Sequence, residues 1–221
     1  HPSIRIIEME LKLTISFLYL FLAYSLLFIG VDLLQRFVIQ QTSWARKATH
    51  IGAAIIGCFM PVMLSREEGV VLSALFFVIL VLSRWKKILR LHETDRVTLG
   101  EIIYPVSIGI LSWFTIPDHP YVFQSSVLVL GFADAIAGIA GEYFAKRKFR
   151  VIGATKSFMG SFTFFIVTVI VLLLFHGTEP DVMLKIVLLS LATTLVELCS
   201  PYGFDNLTIP LVVMIGEMTL F

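Results

Sequence analysis

Charge is scarce in this sequence. Only 15% of its 221 residues are Asp, Glu, Lys or Arg, against about a quarter in a soluble domain. Cysteine is scarcer still. Cys58 and Cys199 lie far apart, one inside an apolar block and one at a block end, and two such residues make neither a metal-binding spacing nor a disulfide framework. No internal repeat, low-complexity tract or linker marks a second domain. The first apolar run lacks a small-x-small cleavage site before Asp32, so it reads as a retained helix rather than a signal peptide. Acidic and basic residues nearly cancel, and the net charge of +1 points to no partner.

What takes the place of charge is hydrocarbon. The chain is 57% hydrophobic, with a mean hydropathy of +0.91. The apolar residues fall in about eight blocks: Leu13–Val31, Ala48–Leu64, Gly69–Ser83, Ile102–Ile116, Tyr121–Gly141, Phe158–Phe175, Val182–Val196 and Leu207–Phe221. A membrane span takes roughly 20 apolar residues, with about 17 as a lower limit. The third, fourth and last blocks are short. Arg84 and Trp85 extend the third by sitting at the interface, and the last, with Pro210 and Glu217, suits a span or a re-entrant segment. The fold expected is all-α: a polytopic transmembrane helical bundle of about seven to eight membrane segments. Residues before the start-like Met9-Glu10-Leu11-Lys12 read as an expression remnant (1–8), and 9–221 as a single integral-membrane catalytic domain.

Loop charges orient the bundle. Thirteen of the Lys and Arg residues lie on the first, third and fifth loops, the fourth loop has none, and the second has Arg66. Cytoplasmic loops are enriched in Lys and Arg, so the odd loops are expected in the cytosol and the N-terminus outside. The third loop, Arg84–Gly100, suits either an amphipathic surface helix or a plain basic loop.

Ionisable groups at membrane depth cost roughly 2.5–3.5 kcal/mol at a helix centre, which singles out His50, Glu101, Asp134, Glu197 and Glu217. Asp134 follows thirteen helix residues from Tyr121, roughly 20 Å of rise. It heads a face of small residues, Ala137, Gly138 and Gly141, which permits close approach by another helix or by a ligand. Lys156-Ser157-x-x-Gly160-Ser161 ends a basic loop and enters a helix. Free N–H groups, hydroxyls and a lysine there suit a phosphate, although Ser157 also suits a helix cap; the glycine spacing is not that of a Walker A loop. Arg46-Lys47-x-x-His50 puts Arg46 and His50 on one face. Glu101 opens a helix before Tyr104-Pro105, where a dipole partner is the simpler reading. Asp205 and Asn206 suit capping of the last segment or oxygen ligation of Mg²⁺. His50, Glu101, Asp134, Lys156, Glu197 and Asp205 all fall at the end expected in the cytosol. Cations for phosphates and carboxylates for a metal are what a Mg²⁺–nucleotide site needs.

Taken together, Arg46-Lys47-x-x-His50, Gly100-Glu101-x-x-Tyr104-Pro105, Asp134-x-x-Ala137-x-x-x-Gly141, Lys156-Ser157-x-x-Gly160-Ser161, Glu197 and Gly203-x-Asp205-Asn206-x-x-x-Pro210 resemble the polyprenol kinase family. That family includes dolichol, phytol and farnesol kinases and the CTP-dependent diacylglycerol kinase, and the compact length resembles the phytol kinase branch. Many members have Gly-Asp where this chain has Ala133-Asp134, and Glu or Ala where it has Met159.

The resemblance implies transfer of the γ-phosphate of a nucleotide, usually CTP, to the hydroxyl of a membrane isoprenoid or other lipid alcohol, with Mg²⁺ or another divalent cation. It implies catalytic roles for Asp134, His50, Lys156 and Glu197. Nucleotide and phosphate contacts fall to Arg46, Lys47, Lys156, Ser157, Gly160, Ser161, Asp205 and Asn206, and metal contacts to Asp134, Asp205 and Glu101. The expected partners are the nucleoside triphosphate, the lipid alcohol and the bilayer, with no nucleic acid and with a homo-oligomer left open. A cytidylyltransferase making a CDP-lipid and a cation-coupled transporter are the competing expectations; against the transporter, the charges sit at one face and no repeat is visible.

Overall fold

A computed structural model describes residues 2–38, 42–89, 99–144, 147–152 and 154–221, with side chains from residue 14 onward apart from that of residue 42. Every apolar block is helical over most of its length. The helices are α1 (Pro2–Phe37), α2 (Thr42–Gly57), the single turn α3 (Met60–Met63), α4 (Arg66–Trp85), α5 (Gly100–Thr115), α6 (Pro120–Leu128), α7 (Asp134–Tyr143), α8 (Phe158–His176), α9 (Pro180–Cys199) and α10 (Asp205–Leu220). A π-helical turn, Val129–Ala133, joins α6 to α7.

Among the described residues, five helical stretches are long and apolar enough to cross a membrane: Thr14–Phe37, Arg66–Trp85, Pro120–Tyr143, Phe158–His176 and Pro180–Cys199. The third block thus gains the length expected of it, because α4 runs on to Trp85 and starts at a capping box between Ser65 and Glu68, which satisfies two free backbone N–H groups. The second block is broken after Gly57, and α2, α5 and α10 are each 16 residues long, short of a full crossing.

The bundle is apolar on its outside as well as in its core, and small polar residues lie among the buried apolar ones. Leu18, Leu22, Leu26, Phe162, Leu174 and Leu188 project outward, while Ser107, Ser112, Ser125, Thr168 and Thr193 are fully buried. Their hydroxyls are satisfied within the helix where they can be: Ser112 donates to the Ile108 carbonyl at 2.8 Å, Thr168 to Phe164 at 2.9 Å and Thr193 to Leu189 at 2.8 Å. Apolar exteriors with small and hydroxyl residues at the helix contacts are how helices pack when lipid is the solvent.

One loop departs from the all-α expectation. The fifth loop folds into an antiparallel hairpin of β1 (Lys148–Val151) and β2 (Ala154–Ser157), with Phe149 opposite Lys156 and Arg150 opposite Thr155. Alternating charged and apolar or β-branched residues favour a strand over a helix, and the Phe149 ring packs on Phe158, centroids 4.8 Å apart. In the third loop, Lys86–Leu89 are not helical, and Lys87 has φ of 52°. The rest of the amphipathic helix considered there falls on residues 90–98, outside the described residues.

Candidate functional site

The helix contacts bring one end of several elements together. Gly131, in the π turn, lies so close to α2 that a Cβ there would meet Ala54 Cβ at 2.3 Å and the His50 carbonyl oxygen at 2.7 Å. Only glycine lets the two backbones approach this far, and the approach sets His50 beside the first residue of α7. His50 Nδ1 stands 3.8 Å from Asp134 Oδ2, an ion pair only when His50 is protonated and too far for a hydrogen bond. A π turn re-aims the residues that follow it and is often found at functional sites.

The loop between α9 and α10 supplies the facing wall. Tyr202 and Gly203 both take left-handed backbone, φ 56° and 90°, unusual for a tyrosine. The Leu99 N–H donates to the Tyr202 carbonyl at 2.9 Å and ties this turn to the start of α5. The turn presents Asp205 and Asn206 to the space in front of Asp134. Together these elements enclose a pocket lined by Arg46, His50, Glu101, Tyr104, Asp134 and Asp205, with Asn206, Thr49, Phe28 and the backbone at Gly100 and Gly203 completing it.

Charges converge on this space. Asp205 lies ahead of the last apolar segment. Burial raises its pKa to about 7, with the Asp134 carboxylate pushing the same way, Lys156 and Arg46 opposing, and Glu197 adding to the rise. Four charged groups, Asp134, Lys156, Arg46 and Glu197, thus act on Asp205. Lys156, on β2, forms an ion pair with Glu197 of α9. Four buried polar atoms in or beside the pocket have no hydrogen-bond partner among the described residues: His50 Nδ1, Tyr104 Oη, Glu197 Oε2 and Asn206 Oδ1. Leaving such an atom unpaired costs about 1–3 kcal/mol, so their concentration here marks a place built for something that supplies partners.

Arg46, His50, Glu101, Asp134, Asp205 and Asn206 share the pocket, while other residues expected at the site are directed elsewhere. Lys47 is buried and paired with Glu142 of α7, which also accepts from Ser43 Oγ at 2.6 Å. Ser157 caps α8, accepting from the Gly160 N–H at 3.1 Å. Gly160 is a packing glycine: a Cβ there would lie 3.2 Å from the Ala137 carbonyl and 3.6 Å from Gly141 Cα. Ala137 and Gly141 are therefore used for contact with α8, while Gly138 faces the Lys47 side chain of α2, where a Cβ would meet Lys47 Cε at 3.2 Å; the Asp134 carboxylate is left for the pocket. Ser161 is half-buried on α8 and does not line the pocket. Glu101 is ion-paired with Arg84, and among the described residues no three of His, Cys, Asp and Glu converge into a metal centre; the expected trio of Asp134, Asp205 and Glu101 is not one. Glu217 lies at the opposite end, where it accepts from Ser125 Oγ at 2.6 Å and contacts His176 Nε2 at 2.9 Å.

Sequence reasoning did not single out Phe28 or Thr49 as lining residues, nor Arg84 and Glu142 as partners. Phe28 sits in an unbroken apolar run and carries no signal of its own. Glu142 had one: a carboxylate two turns beyond Asp134 on the same helix.

Fold and site define a mostly helical polytopic protein with a charged pocket at one end of its bundle. The chain is 29% identical over 188 residues to the phytol kinase of Synechocystis sp., an alignment covering 81% of this chain and 80% of that protein. The match supports a polyprenol/phytol kinase-like family for this chain, in agreement with its motifs. No family model and no solved structure matches it.

Proposed function

We propose that this protein is a nucleotide-dependent kinase that phosphorylates the hydroxyl of a membrane isoprenoid or other lipid alcohol, with CTP as donor, at the cytosolic face. The observation that carries the reading is the pocket itself, where a guanidinium, an imidazole, carboxylates and unpaired buried oxygens from α2, α5, α7 and α10 face one space. Similarity to a phytol kinase supports the acceptor class. The concentration of basic residues on the odd loops supports a cytosolic site.

The donor set suits Mg²⁺. Mg²⁺ in nucleotide sites is held by one or two carboxylates, with phosphates and water completing its shell; three protein ligands are not needed. Asp134 and Asp205 would hold it, with Asn206 Oδ1 as a further oxygen. Burial first, and then repulsion from Asp134, raise Asp205, and a bound cation offsets both by favouring the charged carboxylate. When bound, the ion neutralises charge on the transferring phosphates.

Phosphoryl transfer asks a protein mainly for position and charge. Arg46, exposed at the pocket rim, and Lys156 hold phosphate oxygens. The alcohol oxygen attacks the γ-phosphorus, the bond from that phosphorus to the β-phosphate bridging oxygen breaks, and the alcohol proton passes to His50 or to a carboxylate beside it. The products are a lipid monophosphate and CDP. Glu197 fixes the Lys156 ammonium in direction.

The test is purified, bilayer-reconstituted protein given labelled CTP or ATP with phytol, farnesol, geranylgeraniol, long polyprenols or diacylglycerol. The expected products are a lipid monophosphate and a nucleoside diphosphate. A CDP-lipid with pyrophosphate would instead make the protein a cytidylyltransferase. Asp134→Asn should lower turnover at least about a hundredfold, the scale of losing one pre-organised electrostatic group, while the protein stays folded; full activity in that variant would overturn the assignment.

A further inference from the structure

Two further cavities lie in series with the charged pocket. The first is small, about 20 Å³, and is walled by Tyr24, Met60, Leu72, Phe76 and Ile108. It shares Phe28 and Tyr104 with the charged pocket. The second is a groove of about 430 Å³ on the outer flank of the bundle between α4 and α5, walled by Ala74, Phe77, Val106, Gly109, Ile110 and Trp113. It shares Ser73 and Pro105 with the small cavity. A line therefore runs from the carboxylates, past Tyr104, through the bundle wall at Pro105, to the lipid-facing surface.

The walls of this line change character along its length. At the charged end stand Glu101 and Asp134; at the outer end the lining is apolar apart from Ser73, whose hydroxyl is spent on the Gly69 carbonyl at 2.8 Å. From Glu101 to Phe114 the route follows thirteen residues of α5, about 20 Å of helix and two thirds of a hydrocarbon core of about 30 Å. The α4–α5 pair is tight at Gly69, where an added Cβ would meet Ser112 Oγ at 2.7 Å, and looser at Gly109, where the nearest atom would be Ser73 Cβ at 3.4 Å. The small residues Ala74 and Gly109 leave the groove between the helices unfilled.

The middle of the line is closed by aromatic side chains. Phe76 packs against Phe21, Tyr24 and Phe28, with centroids 5.4, 5.5 and 5.8 Å away. The space left is little more than one water molecule needs. Beside it, Tyr104 Oη is buried without a hydrogen-bond partner among the described residues. A phenol in that state is a costly feature, and it is placed to meet one polar group at the junction of a charged and an apolar space.

We infer that these cavities form the acceptor site: the alcohol's hydroxyl lies at Tyr104 and His50, and its hydrocarbon chain displaces the Phe28 and Phe76 rings that close the middle of the line and leaves the bundle through the α4–α5 groove. The inference rests on the lipid-kinase reading for the identity of the head group, and it adds the location and length of the chain. An amphiphile with one hydroxyl and a long apolar chain matches the change of lining, and the groove keeps the chain's far end in the bilayer from which it came. A five-carbon alcohol fills only the inner part of the route, so discrimination between long and short chains belongs to the groove.

The test uses the full chain in nanodiscs with a geranylgeraniol analogue bearing a diazirine at the end remote from the hydroxyl. Light-induced adducts mapped by peptide mass spectrometry are expected on the helix faces of Phe77, Val106 or Trp113, and excess unlabelled geranylgeraniol should reduce them. Adducts on other helices, or groove adducts that the unlabelled alcohol does not reduce, would overturn the route, the second outcome meaning ordinary bilayer lipid. In the Ala74→Trp variant the ratio of kcat/KM for geranylgeraniol to that for prenol should fall at least tenfold; an unchanged ratio would overturn the role of the groove. Competed groove adducts in a protein that phosphorylates no alcohol would leave the chain site standing and remove the kinase reading, so the two failures are distinguishable.

Discussion

His50 Nδ1 faces Asp134 Oδ2 across 3.8 Å, and the residue that permits this is neither of them. Gly131, three residues before Asp134, lets α2 press its backbone on the π turn. A methyl group there would overlap Ala54 and the His50 carbonyl, and α2 would have to move outward. Gly131→Ala should therefore destabilise by about 1–3 kcal/mol, as overpacking does, and should lower turnover beyond the loss of folded protein. Thermal unfolding in detergent and activity per folded molecule separate the two effects.

The Lys156–Glu197 pair combines a structural and a chemical role, and a double substitution separates them. Lys156→Ala leaves a buried carboxylate without its cation, a change worth about 3–5 kcal/mol when one partner of a buried pair is removed. Adding Glu197→Gln should recover much of that stability and none of the phosphoryl transfer. Recovery of activity along with stability would show that Lys156 serves the fold alone.

Arg46 and Lys47 are neighbours with opposite duties. Arg46→Ala should raise the KM for the nucleotide about tenfold or more, on the scale of one lost charge-assisted contact, and leave unfolding nearly unchanged. Lys47→Met should do the reverse, and Glu142→Gln should resemble Lys47→Met, since both break the same pair. Steady-state kinetics beside melting curves for the three variants decide this.

Asn206 is buried with Oδ1 unpaired among the described residues. Replacing an unsatisfied polar group by an apolar one of like size costs little stability. Asn206→Leu should melt within a few degrees of the parent yet bind Mg²⁺–nucleotide more weakly, read by the loss of nucleotide-dependent thermal stabilisation. A large fall in melting temperature with unchanged nucleotide binding would show that Asn206 is a packing residue.

The sequence by itself determined the helices, because apolar runs that must satisfy every backbone group inside lipid have almost no alternative. It also determined the reactive residue types, since carboxylates and histidines at membrane depth stand out against hydrocarbon. It carried the family resemblance in motifs spaced over most of the chain. What it did not contain was direction. Successive residues on a helix point about 100° apart, so whether Arg46 or Lys47 meets the pocket depends on what α2 packs against, and that neighbour is α7 with Glu142, almost a hundred residues away. Ser157 reads equally as a phosphate ligand or a cap until the hairpin turns it toward Gly160. By resemblance Glu101 and Asp134 are both expected to hold a metal, yet one is paired with Arg84 and the other faces His50 and Asp205. The line of cavities past Tyr104 arises from the gap between α4 and α5, a property of packed surfaces that no linear pattern records.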